Sequence, residues 1–330
     1  MQDNILSLYT SCTQCPRKCN TSRSSGKVGY CGESKDVRIA TACLHFGEEP
    51  YVTVKNGSGT IFFTGCTLRC AFCQNYQISQ QGMGRAVSKE EFVKICLKLQ
   101  ELKAENINLV TGSHHIPLIA DFLREAKKEG LKIPVAWNSS AYESTESLEL
   151  LKDVVDLWLP DLKTLNSNVS KELFGAEDYP DVATKAISFM IKNTPLKIIN
   201  GKMQSGVIIR HLFLPGRLED TMLTLEWLKK HADEKAVISL MSQYTPVPFK
   251  EEKELLEKRT QKLSIFENRL VDKTEDGDLR DLIEVYGFEE LFYQDLSDDT
   301  SWLPDFNRTQ PFSNALAKPV WHWKNGFCTP

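Results

Sequence analysis

Three cysteines fall within eight residues of this chain, in the run Gly65-Cys66-Thr67-Leu68-Arg69-Cys70-Ala71-Phe72-Cys73. Their C-x3-C-x2-C spacing constrains fold and chemistry together. A closed iron–sulfur cube takes four thiolates. Three in one tight loop leave one iron open, and an open metal position marks a reactive site rather than a structural one. Zinc is the competing reading, but a structural zinc site takes four protein ligands. The apolar run Thr60-Ile61-Phe62-Phe63-Thr64 stands just before the cysteines, so a strand delivers them to its C-terminal end. In parallel α/β barrels that end carries the chemistry.

From residue 60 onward the pattern repeats as strand, loop and helix. Candidate strands cover 60–65, 107–111, 133–138, 155–160, 206–214 and 236–243. They are apolar and nearly free of charge, as parallel strands buried on both faces are. A helix begins at Ser88, with Glu91 completing a capping box, and its apolar positions Phe92, Ile95, Cys96, Leu99 and Leu102 keep the helical period. Further helices are expected over 117–129, 144–152, 177–193 and 219–231. Six such units predict an open, partial (βα)6 barrel or a doubly wound sheet, which periodicity does not separate. Residues 1–55 form a cysteine-rich, turn-rich segment, 56–249 the barrel core and 250–330 a less regular extension. The extension reads as a charged helix from Lys250 to Lys262, a helix from Asp278 to Tyr286 ended by Gly287, and a short strand from Leu291 to Gln294. Its aromatic tail, Trp321-His322-Trp323, is expected to pack back over the barrel.

The sequence around the cysteines resembles the signature of the radical S-adenosylmethionine (SAM) superfamily. Further words narrow the resemblance: Gly59-Thr60-Ile61-Phe62-Phe63, Cys73-Gln74-Asn75-Tyr76, Leu159-Pro160-Asp161-Leu162-Lys163, Arg210-His211-Leu212-Phe213-Leu214-Pro215-Gly216 and Ser242-Gln243-Tyr244-Thr245-Pro246. They are similar to the pyruvate formate-lyase activating-enzyme-like branch, its PflX-type proteins in particular, from about Cys12 to Phe306.

The resemblance implies the partial barrel rather than the doubly wound sheet. It implies a [4Fe-4S] cluster on Cys66, Cys70 and Cys73 whose fourth iron binds the amino and carboxylate groups of SAM. Reductive cleavage of SAM then gives a 5′-deoxyadenosyl radical that takes hydrogen from a substrate. The substrate is a glycine of a glycyl-radical enzyme, or alternatively a peptide or small metabolite, and the electron comes from a protein such as flavodoxin or ferredoxin. A non-catalytic iron–sulfur electron carrier or sensor is the reading from a different class. Phe72 is implied near the adenine. Thr111 and Gly112 stand where the family has a glycine-rich turn whose backbone meets the SAM amino group, but the usual glutamate is missing and His114 and His115 follow. Either histidine reads otherwise as a solvent-facing loop residue. Asn138 and Ser139 form a polar pair near SAM, or a turn. Lys163 pairs with the SAM carboxylate, or with Asp161. Arg210, a further candidate for cofactor binding, and His211 interrupt an apolar strand, so at least one is expected to face the interior, with His211 fitting a hydrogen-bonded core histidine. Gln243 and Tyr244 end the sixth strand on the substrate side.

A second set, Cys12, Cys15, Cys19 and Cys31, has enough thiols to close a metal site. A structural zinc and an auxiliary iron–sulfur cluster both fit. A segment this poor in apolar period needs such a staple. Cys43, Cys96 and Cys328 read as plain thiols. Net charge is −4 with no dense basic run, which points away from nucleic acid. No apolar stretch is long enough for a membrane helix. The start, Met1-Gln2-Asp3-Asn4, lacks the features of a secretory signal, so the ten cysteines are expected to stay reduced in the cytoplasm.

Overall fold

In a computed structural model, residues 2–297, 299–300 and 302–328 are described; residues 1, 298, 301, 329 and 330 lie outside the described residues. The described residues form one twelve-stranded sheet. The strands are β1 (Arg38–His45), β2 (Ser58–Phe63), β3 (Arg85–Ala86), β4 (Ile107–Val110), β5 (Val135–Ser139), β6 (Leu157–Pro160), β7 (Lys197–Ile199), β8 (Lys202–Leu212), β9 (Val237–Met241), β10 (Leu291–Gln294), β11 (Ala317–His322) and β12 (Gly326–Phe327). Parallel pairing runs β2-β4-β5-β6-β8-β9-β10, with β1, β11 and β12 added antiparallel at the β2 edge. Among the described residues the path does not close, so the barrel is open.

Each parallel strand is buried on both faces, which explains its unbroken apolar run. One face packs under the helices: Leu109, Trp137, Trp158, Ile209 and Leu240 belong to that layer. The other lines the barrel: Ala136, Leu157, Leu159, Ile208 and Val237 cluster there. Side chains alternate along a strand, so Asn138, Asp161, Arg210 and Ser239 follow these residues onto the inner side.

The expected helices form, with instructive differences. Ser88 caps the helix Lys89–Glu101 by accepting the Glu91 N–H at 3.2 Å. Glu91 does not complete the box; its carboxylate holds Arg85 and the Trp321 indole N–H instead. The helix expected at 177–193 forms as Tyr179–Asn193, and a further helix, Ser167–Phe174, precedes it and ends at the left-handed Gly175. β8 begins earlier than the apolar run because Asn200 and Gly201, at φ +52° and +71°, turn it back on β7.

The terminal segments are built into the sheet. β1 lies within residues 1–55 yet pairs with both β2 and β11. β10 extends the parallel run beyond β9. The aromatic tail does return to the body: Trp321 is fully buried in β11 and Arg85 stacks over its ring at 4.7 Å. Trp321→Ala should therefore cost about 3–5 kcal/mol of stability, read as a lower urea midpoint. A midpoint within error of the parent would contradict this account of the tail.

Candidate functional site

The three-cysteine loop leaves β2 through Thr64 and Gly65. Gly65 sits at φ +75°, and a Cβ there would fall 2.4 Å from Glu33 Cγ and 2.8 Å from the Cys31 carbonyl oxygen. Only glycine permits this approach. Beyond it the backbone wraps the sulfurs. Leu68 and Arg69 donate N–H bonds to Cys66 Sγ at 3.3 and 3.4 Å, with Arg69 at φ +54°. Ser79 Oγ lies 3.4 Å from Cys73 Sγ. The Cys70 carbonyl accepts from Gln80 Nε2 at 2.9 Å, and Ala71 N–H bonds to the Leu173 carbonyl. Burial pushes the Cys70 and Cys73 thiols up, and the Lys163 ammonium acts against that rise. Cys70 is within electrostatic reach of Cys66, Cys73, Lys163 and Asp161, so the loop faces the ends of the parallel strands.

Facing the loop is a line of charge. Lys163 Nζ donates to Asp161 Oδ2 at 2.8 Å. Arg210 Nε donates to Asp161 Oδ1 at 2.8 Å, and Arg210 Nη2 to Asn138 Oδ1 at 2.5 Å. Glu48 Oε2 is 3.9 Å from Arg210 Nη1, and Glu48 also pairs with His45 at 3.5 Å. Burial works upward on the Asp161 carboxyl, but Arg210 and Lys163 together hold it below the usual range. Glu48 is held down against burial by His45 and Arg210, while burial wins at Glu49 and raises it. Tyr179 braces the line from the helix layer, donating its hydroxyl to the Asp161 carbonyl at 2.7 Å and accepting the Lys163 N–H at 2.9 Å.

The remaining candidates divide between the mouth and the scaffold. Thr111 takes φ +62° and donates its N–H to the Asn138 carbonyl. A Cβ on Gly112 would meet Ile119 and Trp137 at 2.7 Å, so the turn is shaped by space. Asn138 joins the charged line, whereas Ser139 Oγ accepts the Ala141 N–H and serves a turn. Phe72 lies edge-on to Phe174, Tyr244 and Phe266, with centroids 6.1–6.2 Å away. Tyr244 thus packs against the cluster loop, and Gln243 accepts from Gln294 instead. His211 faces outward, its ring bonded to the Leu162 carbonyl and Thr221, and burial pushes it down to about 4. His114 and His115 do not face solvent; both are buried, and burial lowers both. Cys96 is a fully buried helix-face thiol.

Sequence reading missed Glu48 and Glu49, which follow β1 into the barrel. Two adjacent carboxylates ending an apolar run were the available signal. It also missed Glu143, whose buried carboxylate accepts from Ser113 at 2.5 Å and so comes from a neighbouring loop to the turn that lacks its own glutamate. Among the described residues, no group of three or more His, Cys, Asp and Glu side chains is drawn in closely enough to hold a single metal ion. An iron–sulfur cluster is wider than one ion, and the three-thiol loop suits that width: buried thiols, backbone N–H donors to sulfur and a nearby cation.

The family model described as Radical SAM superfamily matches residues 60–231. The chain belongs to the radical SAM superfamily. It is 32% identical over 247 residues to an uncharacterized protein of Methanocaldococcus jannaschii, covering 72% of this chain and 67% of that one. It is 25% identical over 164 residues to the pyruvate formate-lyase 1-activating enzyme of Escherichia coli K12, covering 48% of this chain and 62% of that enzyme. The chain thus matches less than two thirds of that enzyme's length. Among solved structures, Streptococcus suis SuiB bound to S-adenosylmethionine aligns over 70% of this chain and 48% of its own, at 16% identity and a TM-score of 0.46. The chain is thus a radical SAM enzyme similar to the activating enzymes, on a partial barrel. No helix among the described residues is long and apolar enough to cross a membrane.

Arg210 is the cation on which this barrel's inner carboxylates depend. Arg210→Met should destabilise the fold by about 3–5 kcal/mol by leaving Asp161 and Glu48 buried with less compensation. A carboxylate held low contributes stability above its unfolded value of about 3.9, lost as pH falls through the folded value. The acid limb of stability should therefore be shallower in Asp161→Asn than in the parent. Superimposable limbs would show that Asp161 carries none of it.

Proposed function

We propose that Cys66, Cys70 and Cys73 of this radical SAM enzyme hold a [4Fe-4S] cluster with one iron open to SAM, and that its substrate is a glycine of a glycyl-radical enzyme. The observation that carries this reading is the three-thiol loop at the end of β2, within electrostatic reach of Lys163 in the barrel mouth. Bound there, the cluster and SAM supply one-electron cleavage to methionine and a 5′-deoxyadenosyl radical, which takes hydrogen from the substrate.

The chain's residues have separate tasks. The N–H groups of Leu68 and Arg69 donate to Cys66 Sγ and fix its place in the loop. Asp161 takes one of the three Lys163 donors, leaving the others for the SAM carboxylate. Arg210, tied to Asp161 and Asn138, keeps the inner wall fixed. Phe72 offers an aromatic face beside the loop, and the Thr111–Gly112 backbone a polar turn for the amino group. A flavodoxin- or ferredoxin-class protein supplies the electron. The name of the E. coli relative supports a glycyl-radical partner.

Cys66→Ala, Cys70→Ala and Cys73→Ala should each abolish 5′-deoxyadenosine formation by the reduced, reconstituted protein. Lys163→Ala should retain the cluster while weakening SAM binding roughly ten- to a hundred-fold, as loss of a charge-assisted hydrogen bond worth about 1.5–3 kcal/mol requires. Unchanged affinity would place Lys163 away from SAM. Incubation with a glycyl-radical enzyme should produce an organic radical signal on that partner. Formation of 5′-deoxyadenosine without any such signal would reject the substrate and leave the SAM chemistry standing.

A further inference from the structure

Outside the barrel mouth, one charge lacks its usual partner. Arg23 is 1% exposed, yet among the described residues no carboxylate pairs with it. Its guanidinium donates to the Ser34 carbonyl at 2.7 and 3.0 Å and to the His114 carbonyl at 2.7 Å. It meets the His115 ring at 3.2 Å, lies over Tyr9 at 4.7 Å and approaches Cys12 Sγ at 3.5 Å. Every one of these contacts is neutral unless the cysteine is a thiolate. Glu33 is within electrostatic reach, but its carboxylate is committed to Thr64 and Arg38. A buried cation without an adjacent anion is costly.

Cys12, Cys15, Cys19 and Cys31 gather beside this cation. Cys15 is within electrostatic reach of the other three. A Cβ on Gly29 would sit 3.3 Å from Cys19 Sγ and 3.5 Å from Cys31 Sγ, so the glycine keeps the space between two sulfurs clear. The Cys31 thiol donates to the Glu33 carbonyl at 3.9 Å.

We propose that Cys12, Cys15, Cys19 and Cys31 hold a second iron–sulfur cluster, and that Arg23 is the buried cation that offsets its negative charge. Two observations favour a cluster over zinc. A structural ion would not be the segment's sole anchor, because Arg17 ties it to the Thr67 and Phe174 carbonyls at 2.9 and 2.7 Å, and also to the Gly175 carbonyl. The site also adjoins the radical loop: Cys66 donates its N–H to the Cys31 carbonyl at 3.1 Å. Resting on the function proposed above, that loop takes up one electron per SAM cleaved, given up by a flavodoxin- or ferredoxin-class donor. A redox-active group one hydrogen bond away suits that traffic, and zinc, which has no redox chemistry, does not.

The test uses the full chain carrying Cys66→Ala, Cys70→Ala and Cys73→Ala, reconstituted anaerobically, so its outcome is independent of the radical cluster. Retention of about two to four irons with matching sulfide, and a reduced-state paramagnetic signal that SAM leaves unchanged, supports the proposal. About one zinc per chain without iron overturns it. So does a metal content no higher than in a variant also lacking Cys12, Cys15, Cys19 and Cys31. In the same background, Arg23→Met should lower the reduction potential at unchanged iron content, because a nearby cation favours the reduced form, while Arg23→Lys should restore it. An unmoved potential in iron-loaded Arg23→Met overturns the role of Arg23.

Discussion

The ion-paired line Lys163–Asp161–Arg210–Glu48 is the interaction on which the barrel mouth depends. A parallel sheet covered on both faces leaves little room for charge, and an unpaired ion inside it costs several kcal/mol. Asp161 and Lys163 come from the end of β6, Arg210 from β8 and Glu48 from beyond β1, so Arg210 joins ions of two other segments. Their mutual need fixes the register of the strand ends. The same pairing leaves Lys163 within electrostatic reach of Cys70, so the arrangement that keeps the mouth folded also brings a cation to the metal-binding loop.

The loop is braced from its other side by the cysteine-rich segment. Cys31 accepts from Cys66 N–H, Glu33 accepts from Thr64 Oγ1 at 2.6 Å, and Arg17 grips the Thr67 carbonyl. Three contacts on consecutive parts of the loop leave it little freedom. Gly65 is where segment and loop come closest, which is why a side chain there has no room. The segment uses arginines and backbone bonds to dock, rather than an apolar core of its own.

Much of this was legible in the sequence, and the failures have physical causes. The C-x3-C-x2-C run, the parallel strands and the inward turn of Arg210 follow from local pattern, because burial on both faces leaves an unmistakable apolar signature. β1 was hidden because its six buried central residues, 39–44, carry only Ile39 and Thr41 as β-branched residues, beside two alanines and a cysteine. The β7–β8 turn was legible as Asn200-Gly201 but fell before the apolar run that drew attention to β8. The burial of His114 and His115 was not legible. It depends on Arg23 and Tyr9 arriving from a segment about ninety residues earlier, a long-range contact that no window of sequence reports. The Glu91 carboxylate was misassigned for a similar reason: Trp321, far along the chain, outcompetes the local cap.

The central claim is that a cluster with three protein thiolates presents one iron to SAM at the mouth of this barrel. The most direct measurement is electron–nuclear double resonance on the reduced, reconstituted protein mixed with SAM carrying nitrogen-15 in its amino group. The account predicts a hyperfine coupling between that nitrogen and the cluster, because the amino group would be bonded to the open iron. A reduced-cluster signal with no nitrogen-15 coupling, under conditions where SAM is shown to be bound, would contradict it.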